Sequence, residues 1–282
     1  MVEKILKQVY GKKVGPLTAY RRVSVGEQGF GFFLRYEFSL LFLRNLQGGI
    51  GIFVRGMFLR GLFRRAGRKI FIAPGVTLRH PRRIELGDEV ILDEGCVLDA
   101  KGDQGEGIRL GSRVFVSRQA QLGCKEGSIT VGDNVSFGPF TIVHSIDAST
   151  VRVGSDVMIA ANCYLAGSPS YRHERTDIPM AEQGLEEGRG IEIGDDVWIG
   201  ASTVVLDGAR IGRGSIIGAM SLVRGEIPPY SIAFGVPATV RGRRQNSSLK
   251  QELHFFRPGV APQTAQRFDD SSPRADGGAD PP

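Results

Sequence analysis

Residues 193–223 read IGDDVWIGASTVVLDGARIGRGSIIGAMSLV, and an aliphatic side chain returns at every sixth place: Ile193, Ile199, Val205, Ile211, Ile217, Val223. Glycine follows four of them, at Gly194, Gly200, Gly212 and Gly218. A period of six is neither the 3.6 of a helix nor the alternation of a two-sided strand. It suits short strands joined by tight corners, each sending one aliphatic side chain into a narrow shared core. Glycine after the aliphatic residue fits a corner whose backbone a Cβ would resist.

The same frame runs upstream in groups of three: Leu86, Leu92 and Leu98; Leu110, Val116 and Leu122; Val131, Phe137 and Val143; Val153, Ile159 and Leu165. Three hexads per turn predict an all-β, triangular parallel solenoid with about 18 residues per layer over residues 70–245. The frame breaks near residues 100–107, 123–128 and 144–150, and longest at 166–190, AGSPSYRHERTDIPMAEQGLEEGRG. A long excursion from a rigid scaffold usually carries function.

The net charge of +6 is uneven. Residues 1–70 hold fourteen Lys or Arg against Glu3, Glu27 and Glu37, so the rest of the chain is net acidic. That distribution argues against nucleic-acid binding by the repeat domain. Residues 1–69 are expected to form a basic, amphipathic helical segment. Within it, GFGFFLRYEFSLLFLRNLQGGIGIFVRGMFLRGLF (29–63) is broken by arginines before any run could span a bilayer. Two helices divided at Gly48-Gly49 are expected. They either lie on a membrane surface, arginines toward anionic head groups, or cap the open end of the coil. From Asn246 the chain turns polar and rich in Pro and Gly, which predicts a disordered tail over 246–282. Asn246-Ser247-Ser248 matches a glycosylation triplet by chance.

Cys96 and Cys163 fall at core places of their hexads, and Cys124 has no Cys-x-x-Cys partner, so a reducing, cytoplasmic setting is expected. The Met1 end shows no secretory signal pattern. No nucleotide-binding glycine motif or nucleophile elbow appears. Of four histidines, His254 lies in the tail and His80, beside Pro81, Arg82 and Arg83, is expected at the surface. His144 opens one break in the frame and His173 sits within the longest, and these two are the candidates for a general base.

From about residue 70 to 244 the sequence resembles the hexapeptide-repeat acyltransferases. The sugar and antibiotic O-acetyltransferase branch shares IGDDVWIGA (193–201), IIGAMSLV (216–223) and IPPYSIAFGVPATV (227–240). LRHPRRIELGD (78–88) is similar to a branch of surface-glycan biosynthesis. The resemblance implies a left-handed β-helix, a homotrimer with clefts between subunits, acetyl-CoA as co-substrate without a metal, and a sugar or glycan hydroxyl as acceptor. It implies a catalytic histidine in the long break. Counting back from RTDIP (175–179), that column falls on Tyr171, with His173 two residues later. It also implies an acceptor site near Asp147, Tyr171 and Trp198. The pantetheine arm would lie along the backbone at Ala201 and Ala219, with Arg224 and Arg241 toward the carrier phosphates. The spacing of zinc-binding histidines in related γ-class carbonic anhydrases is missing. A rival expectation is a non-catalytic β-helix scaffold in a larger assembly, supported by tyrosine in the histidine column.

Overall fold

The computed structural model describes residues 15–26, 28–102 and 105–244. The expected disordered tail, the Asn246 triplet and His254 lie outside the described residues. The hexads form a parallel β-solenoid of about seven turns, and its three faces are sheets of eight, nine and seven strands. Every aliphatic position of the frame points inward and is buried, from Leu86 to Val223. Burial at period six, rather than strand propensity, sets where each short strand starts and stops.

The corners explain the residues between the hexads. After Gly87, Gly111, Gly132 and Gly154 the next turn's backbone passes so close that an added Cβ would sit within 2.9 Å of it. Two residues after each of these glycines the backbone turns left-handed, at Glu89, Arg113, Asn134 and Asp156. Hydroxyl and carboxylate groups then stitch successive corners: Arg68 N–H donates to Asp88 Oδ1 (2.7 Å), Asp88 N–H to Ser112 Oγ (3.2 Å), and Ser155 N–H to Asp195 Oδ1 (2.8 Å).

The outward residues give each face its own chemistry. On the eight-stranded face, Glu85, Arg109, Thr130, Arg152, Glu192, Arg210 and Glu226 stand in register. Glu192 there pairs with Arg152 (3.3 Å) and Arg210 (3.4 Å). The nine-stranded face instead presents Phe71, Ile91, Phe115, Met158 and Trp198 along one row, interrupted by Ser136. It ends in the antiparallel pair Ser231–Gly235 and Ala238–Arg243.

The first strand of the solenoid, Arg65–Ala66, precedes residue 70. Ahead of it, among the described residues, a further helix, α1 (Pro16–Ser24), precedes the two expected in 29–63, α2 (Phe30–Phe38, running into a wider turn at Ser39–Leu43) and α3 (Gly48–Leu59). Gly48-Gly49 opens α3 instead of dividing a longer helix, because Gln47 is extended and Gly48 takes a φ of +72° at the reversal. The extra helix α1 accounts for a second correction. His80, expected at the surface, is buried: α1 and the turn after it cover the ring, and its Nε2 lies 3.0 Å from the Arg22 carbonyl.

The helices cover the first turn of the coil. Phe71 and Ala73 donate their N–H groups toward the second turn (2.9 and 2.8 Å), so the Ile72 carbonyl faces out of the stack. Arg55, only 1% exposed, donates its Nε to that carbonyl at 2.9 Å and reaches Leu43 and Leu46 as well. Tyr36 Oη donates to Leu78 O (2.8 Å), and Arg44 donates to Thr77 Oγ1 (2.9 Å). Arg44 and Arg55 thus serve the coil edge, not a head-group surface. Tyr36→Phe leaves the buried Leu78 carbonyl without its donor. A loss of about 1–3 kcal/mol is expected, measured as a lower urea midpoint at unchanged slope.

Candidate functional site

The frame breaks collect along one edge of the prism, where the seven-stranded face turns into the eight-stranded one. Strands Thr77–Arg79, Val97–Asp99, Gln121–Lys125, Ile142–Ile146 and Tyr164–Gly167 each end there. On this edge the outward residue after each inward aliphatic forms a row in register: Arg79, Asp99, Gly123, His144, Ala166 and Leu206. Arg224 follows Val223 as His144 follows Val143, so it continues the row at the last turn.

His144 is half-buried between two small neighbours. Gly123 has no side chain, and a Cβ there would touch His144 Cδ2 at 3.6 Å. On the other side stands Ala166, while the Tyr164 ring meets the imidazole edge-on, with centroids 5.8 Å apart. Burial pushes the His144 pKa below its usual value, and the charge of Asp99 partly opposes that. An imidazole so placed is neutral near pH 7 and free to accept a proton. Burial works against ionisation of Asp99, but His80 and Arg79 (3.3 Å) together hold its pKa below the ordinary carboxylate value. His80 Nδ1 faces Asp99 Oδ1 at 3.9 Å.

Asp99, Gly123 and Tyr164 escape motif reading because none belongs to a recognisable signature. Their hexad places hold the signal: Asp99 follows Leu98, and Gly123 follows Leu122, as His144 follows Val143.

Asp147 lies at the next corner, exposed and left-handed (φ 56°), its N–H donating to Lys125 O at 3.0 Å. The long excursion leaves at Gly167 and returns at Ile191. Its two limbs pair antiparallel at Tyr171 and Leu185, supported by Glu186 N–H to Ser170 O (2.9 Å) and Arg172 N–H to Gly184 O (3.1 Å). At its tip Arg175 grips Asp177, and Gln183 ties back to the Arg175 carbonyl at 2.7 Å. His173 is exposed, its Nδ1 3.2 Å from the Tyr171 carbonyl. Within one chain no contact joins His173 to His144 among the described residues.

Trp198 stands half-exposed on the nine-stranded face between Met158 and Ile216. Ala201 and Ala219 stack at the corner between that face and the seven-stranded one, Met220 N–H donating to Ala201 O at 2.8 Å. A Cβ on Gly200 would lie 2.5 Å from Ala219 N, so successive turns run very close there. Arg224 is exposed; Arg241 is also exposed and packs over the Phe234 ring at 5.8 Å. The row edge therefore holds His144 and Arg224, whereas Ala201 and Ala219 lie at the opposite edge of the seven-stranded face and Trp198 beyond it on the nine-stranded one. No group of three or more His, Cys, Asp or Glu suited to a metal occurs among the described residues.

Residues 190–225 match the family model for the bacterial transferase hexapeptide (six repeats). Putative acetyltransferase SACOL2570 of Staphylococcus aureus (strain COL) is 33% identical over 148 residues, 44% of this chain and 70% of that protein. Probable acetyltransferase Rv3034c of Mycobacterium tuberculosis (strain ATCC 25618 / H37Rv) is 33% identical over 173 residues, 58% of this chain and 56% of its own. The putative lipopolysaccharide biosynthesis O-acetyl transferase WbbJ of Escherichia coli (strain K12) is 34% identical over 120 residues, 40% of this chain and 60% of its own. The chain thus spans between about half and 70% of the length of these relatives. With its hexads in register through every turn, the chain belongs to the hexapeptide-repeat transferases.

Proposed function

We propose that the protein is an acyl-CoA-dependent O-acetyltransferase that acylates a sugar or glycan hydroxyl. The observation that carries the reading is His144: a neutral imidazole on a rigid strand, between small neighbours, at the edge where every long excursion leaves the coil. The relatives named acetyltransferases, one of them an O-acetyl transferase of lipopolysaccharide biosynthesis, support the chemistry.

The step is direct transfer. The acceptor oxygen attacks the thioester carbonyl, His144 takes the hydroxyl proton, and the tetrahedral intermediate expels the CoA thiolate, which recovers a proton from the imidazolium. Backbone N–H groups steady the oxyanion. The carrier arm follows the close-packed corner at Ala201 and Ala219, with Arg224 and Arg241 toward its phosphates and Trp198 beside the cleft. Asp147 and Tyr171 serve the acceptor. A homotrimer lets the 167–191 excursion of one subunit bring His173 to the row edge of a neighbour, which accounts for its exposure in a single chain. The acceptor is a glycan or glycolipid precursor met at the inner face of the cytoplasmic membrane, with residues 29–63 in contact with the surface.

Calorimetry with CoA, followed by acetyl transfer across a panel of saccharides, tests this reading. Saturable binding and transfer to at least one saccharide are expected. Tyr171 in the family's histidine column and the bare setting of His173 favour a second reading, a scaffold without activity. Absence of CoA binding would establish that one instead.

A further inference from the structure

The helical cap has two faces, and only one is used. In α3, Gly51, Arg55 and Leu59 point to the coil, while Ile50, Phe53 and Met57 point the opposite way and are 55–81% exposed. In α2 and the turn after it, Phe33, Tyr36 and Leu43 face inward; Leu34, Phe38, Leu41 and Phe42 face out. Phe38 meets Phe42 (centroids 5.0 Å) and Phe58 (6.4 Å), so the outer side chains of the two helices form one surface. Contiguous apolar patches of this kind on a soluble domain mark a contact surface.

Its charge selects the occupant. Residues 15–70 carry ten Lys or Arg against Glu27 and Glu37, and Glu37 accepts from Tyr20 Oη at 2.8 Å. With Arg44 and Arg55 turned inward, Arg22, Arg35 and Arg60 remain exposed around the cap, while Arg64 and Arg68 pair with Glu85 and Asp88 of the coil (3.3 and 3.1 Å). A second copy meeting this face would set one strongly basic cap against another, whereas an anionic lipid surface neutralises it. No described helix is long and apolar enough to cross a bilayer, so the contact is interfacial.

Because the inner face of the cap bonds the axial edge of the first turn, through Ile72, Thr77 and Leu78, its outer face looks away along the stacking axis. From this we infer that the cap docks on an anionic bilayer and stands the solenoid upright, holding the His144 edge clear of the lipid surface. His144 lies on the fourth of the stacked strands, three steps from the first. Three steps of about 4.8 Å give about 14 Å, and a helical layer adds about 10 Å. Interfacial helices sink about 5–10 Å, so the imidazole stands about 15–20 Å above the acyl boundary. A sugar attached directly to a lipid head group falls short of that height; a lipid-linked oligosaccharide several units long reaches it.

This rests on the acetyl-transfer reading only for the acceptor's length, and the experiment separates the two. The full chain is floated with phosphatidylcholine vesicles and with vesicles of equal parts phosphatidylcholine and phosphatidylglycerol. Flotation with the mixed vesicles at low salt, reversed by salt, is expected. The Phe42→Ser, Phe53→Ser double variant should float about tenfold less or worse, the order expected from losing buried aromatic surface. Its transfer to a water-soluble saccharide should stay unchanged. Equal flotation of variant and wild type, or no flotation of either, overturns the docking. A smaller oligomer for the variant in solution does so too, by assigning the face to a second copy. In the mixed vesicles, transfer to a lipid-linked oligosaccharide but not to a lipid-linked monosaccharide is expected; equal transfer to both overturns the upright geometry. Flotation without transfer to any saccharide leaves the docking in place and removes the enzyme.

Discussion

His144→Ala is expected to lower kcat for acetyl transfer by about 10²–10⁴-fold, the usual contribution of a well-placed general base. Transition-state stabilisation, not carrier binding, is what the substitution removes, so affinity for CoA by calorimetry should be unchanged. Expected losses for His173→Ala are smaller and appear mainly in KM, as for a loop residue that helps seat the acceptor. The pH profile gives an independent check. Burial holds the His144 pKa below that of a free imidazole, so the proton-accepting form persists to lower pH. Activity should therefore fall only as pH drops below the ordinary histidine value of about 6.5. An Asp99→Asn variant removes the charge that partly offsets burial, and the acid limb should move lower still. Few-fold losses in both histidine variants, with a pH profile that neither substitution moves, would remove the imidazole from the chemistry altogether.

The strand positions were legible in the sequence because burial there is strictly periodic: each inward residue is a frame aliphatic, and each corner glycine meets the next turn's backbone. The N-terminal segment was less legible. Gly48-Gly49 looks like a break, but nothing in composition reveals that Gln47 makes the reversal or that α1 folds back over His80. The place of Arg55 is hidden for a similar reason. Its burial depends on carbonyls at the open edge of the first turn, a tertiary feature with no local mark. Asp99 and Gly123 lie 45 and 21 residues from His144 and reach its row only through register. The fold follows from a one-dimensional repeat, whereas the site is assembled from residues that stacking brings together.

Phe137→Ala should be the most damaging single truncation in the coil. Phe137 is the one aromatic side chain at a frame position, fully buried in the fourth turn. Its turn-mates Val131 and Val143 are small, whereas the third turn holds Leu110, Val116 and Leu122 and the fifth Val153, Ile159 and Leu165. One large ring thus fills a layer whose other two corners are lined by valine, and it stacks between Val116 and Ile159. A triangular core this narrow has little freedom to collapse around a missing ring. Alanine is expected to cost about 3–5 kcal/mol. At roughly 2–4 °C per kcal/mol for a unit of this size, calorimetry should register a fall in Tm of the order of 10 °C. Phe137→Leu keeps most of the volume and should lose under about 1.5 kcal/mol. Adding Val143→Leu to Phe137→Leu restores a leucine-lined layer like that of the third turn and should recover part of that loss. Because each layer of a solenoid is stabilised chiefly by its neighbours, the alanine variant should also open near the fourth turn before the ends of the coil. Hydrogen exchange would show this as lost protection in strands Ser136–Phe137 and Ile142–Ile146, with the last turns still protected. Uniform loss of protection along the whole coil would mean instead that the solenoid unfolds as a single unit and that one layer's packing does not set its weak point.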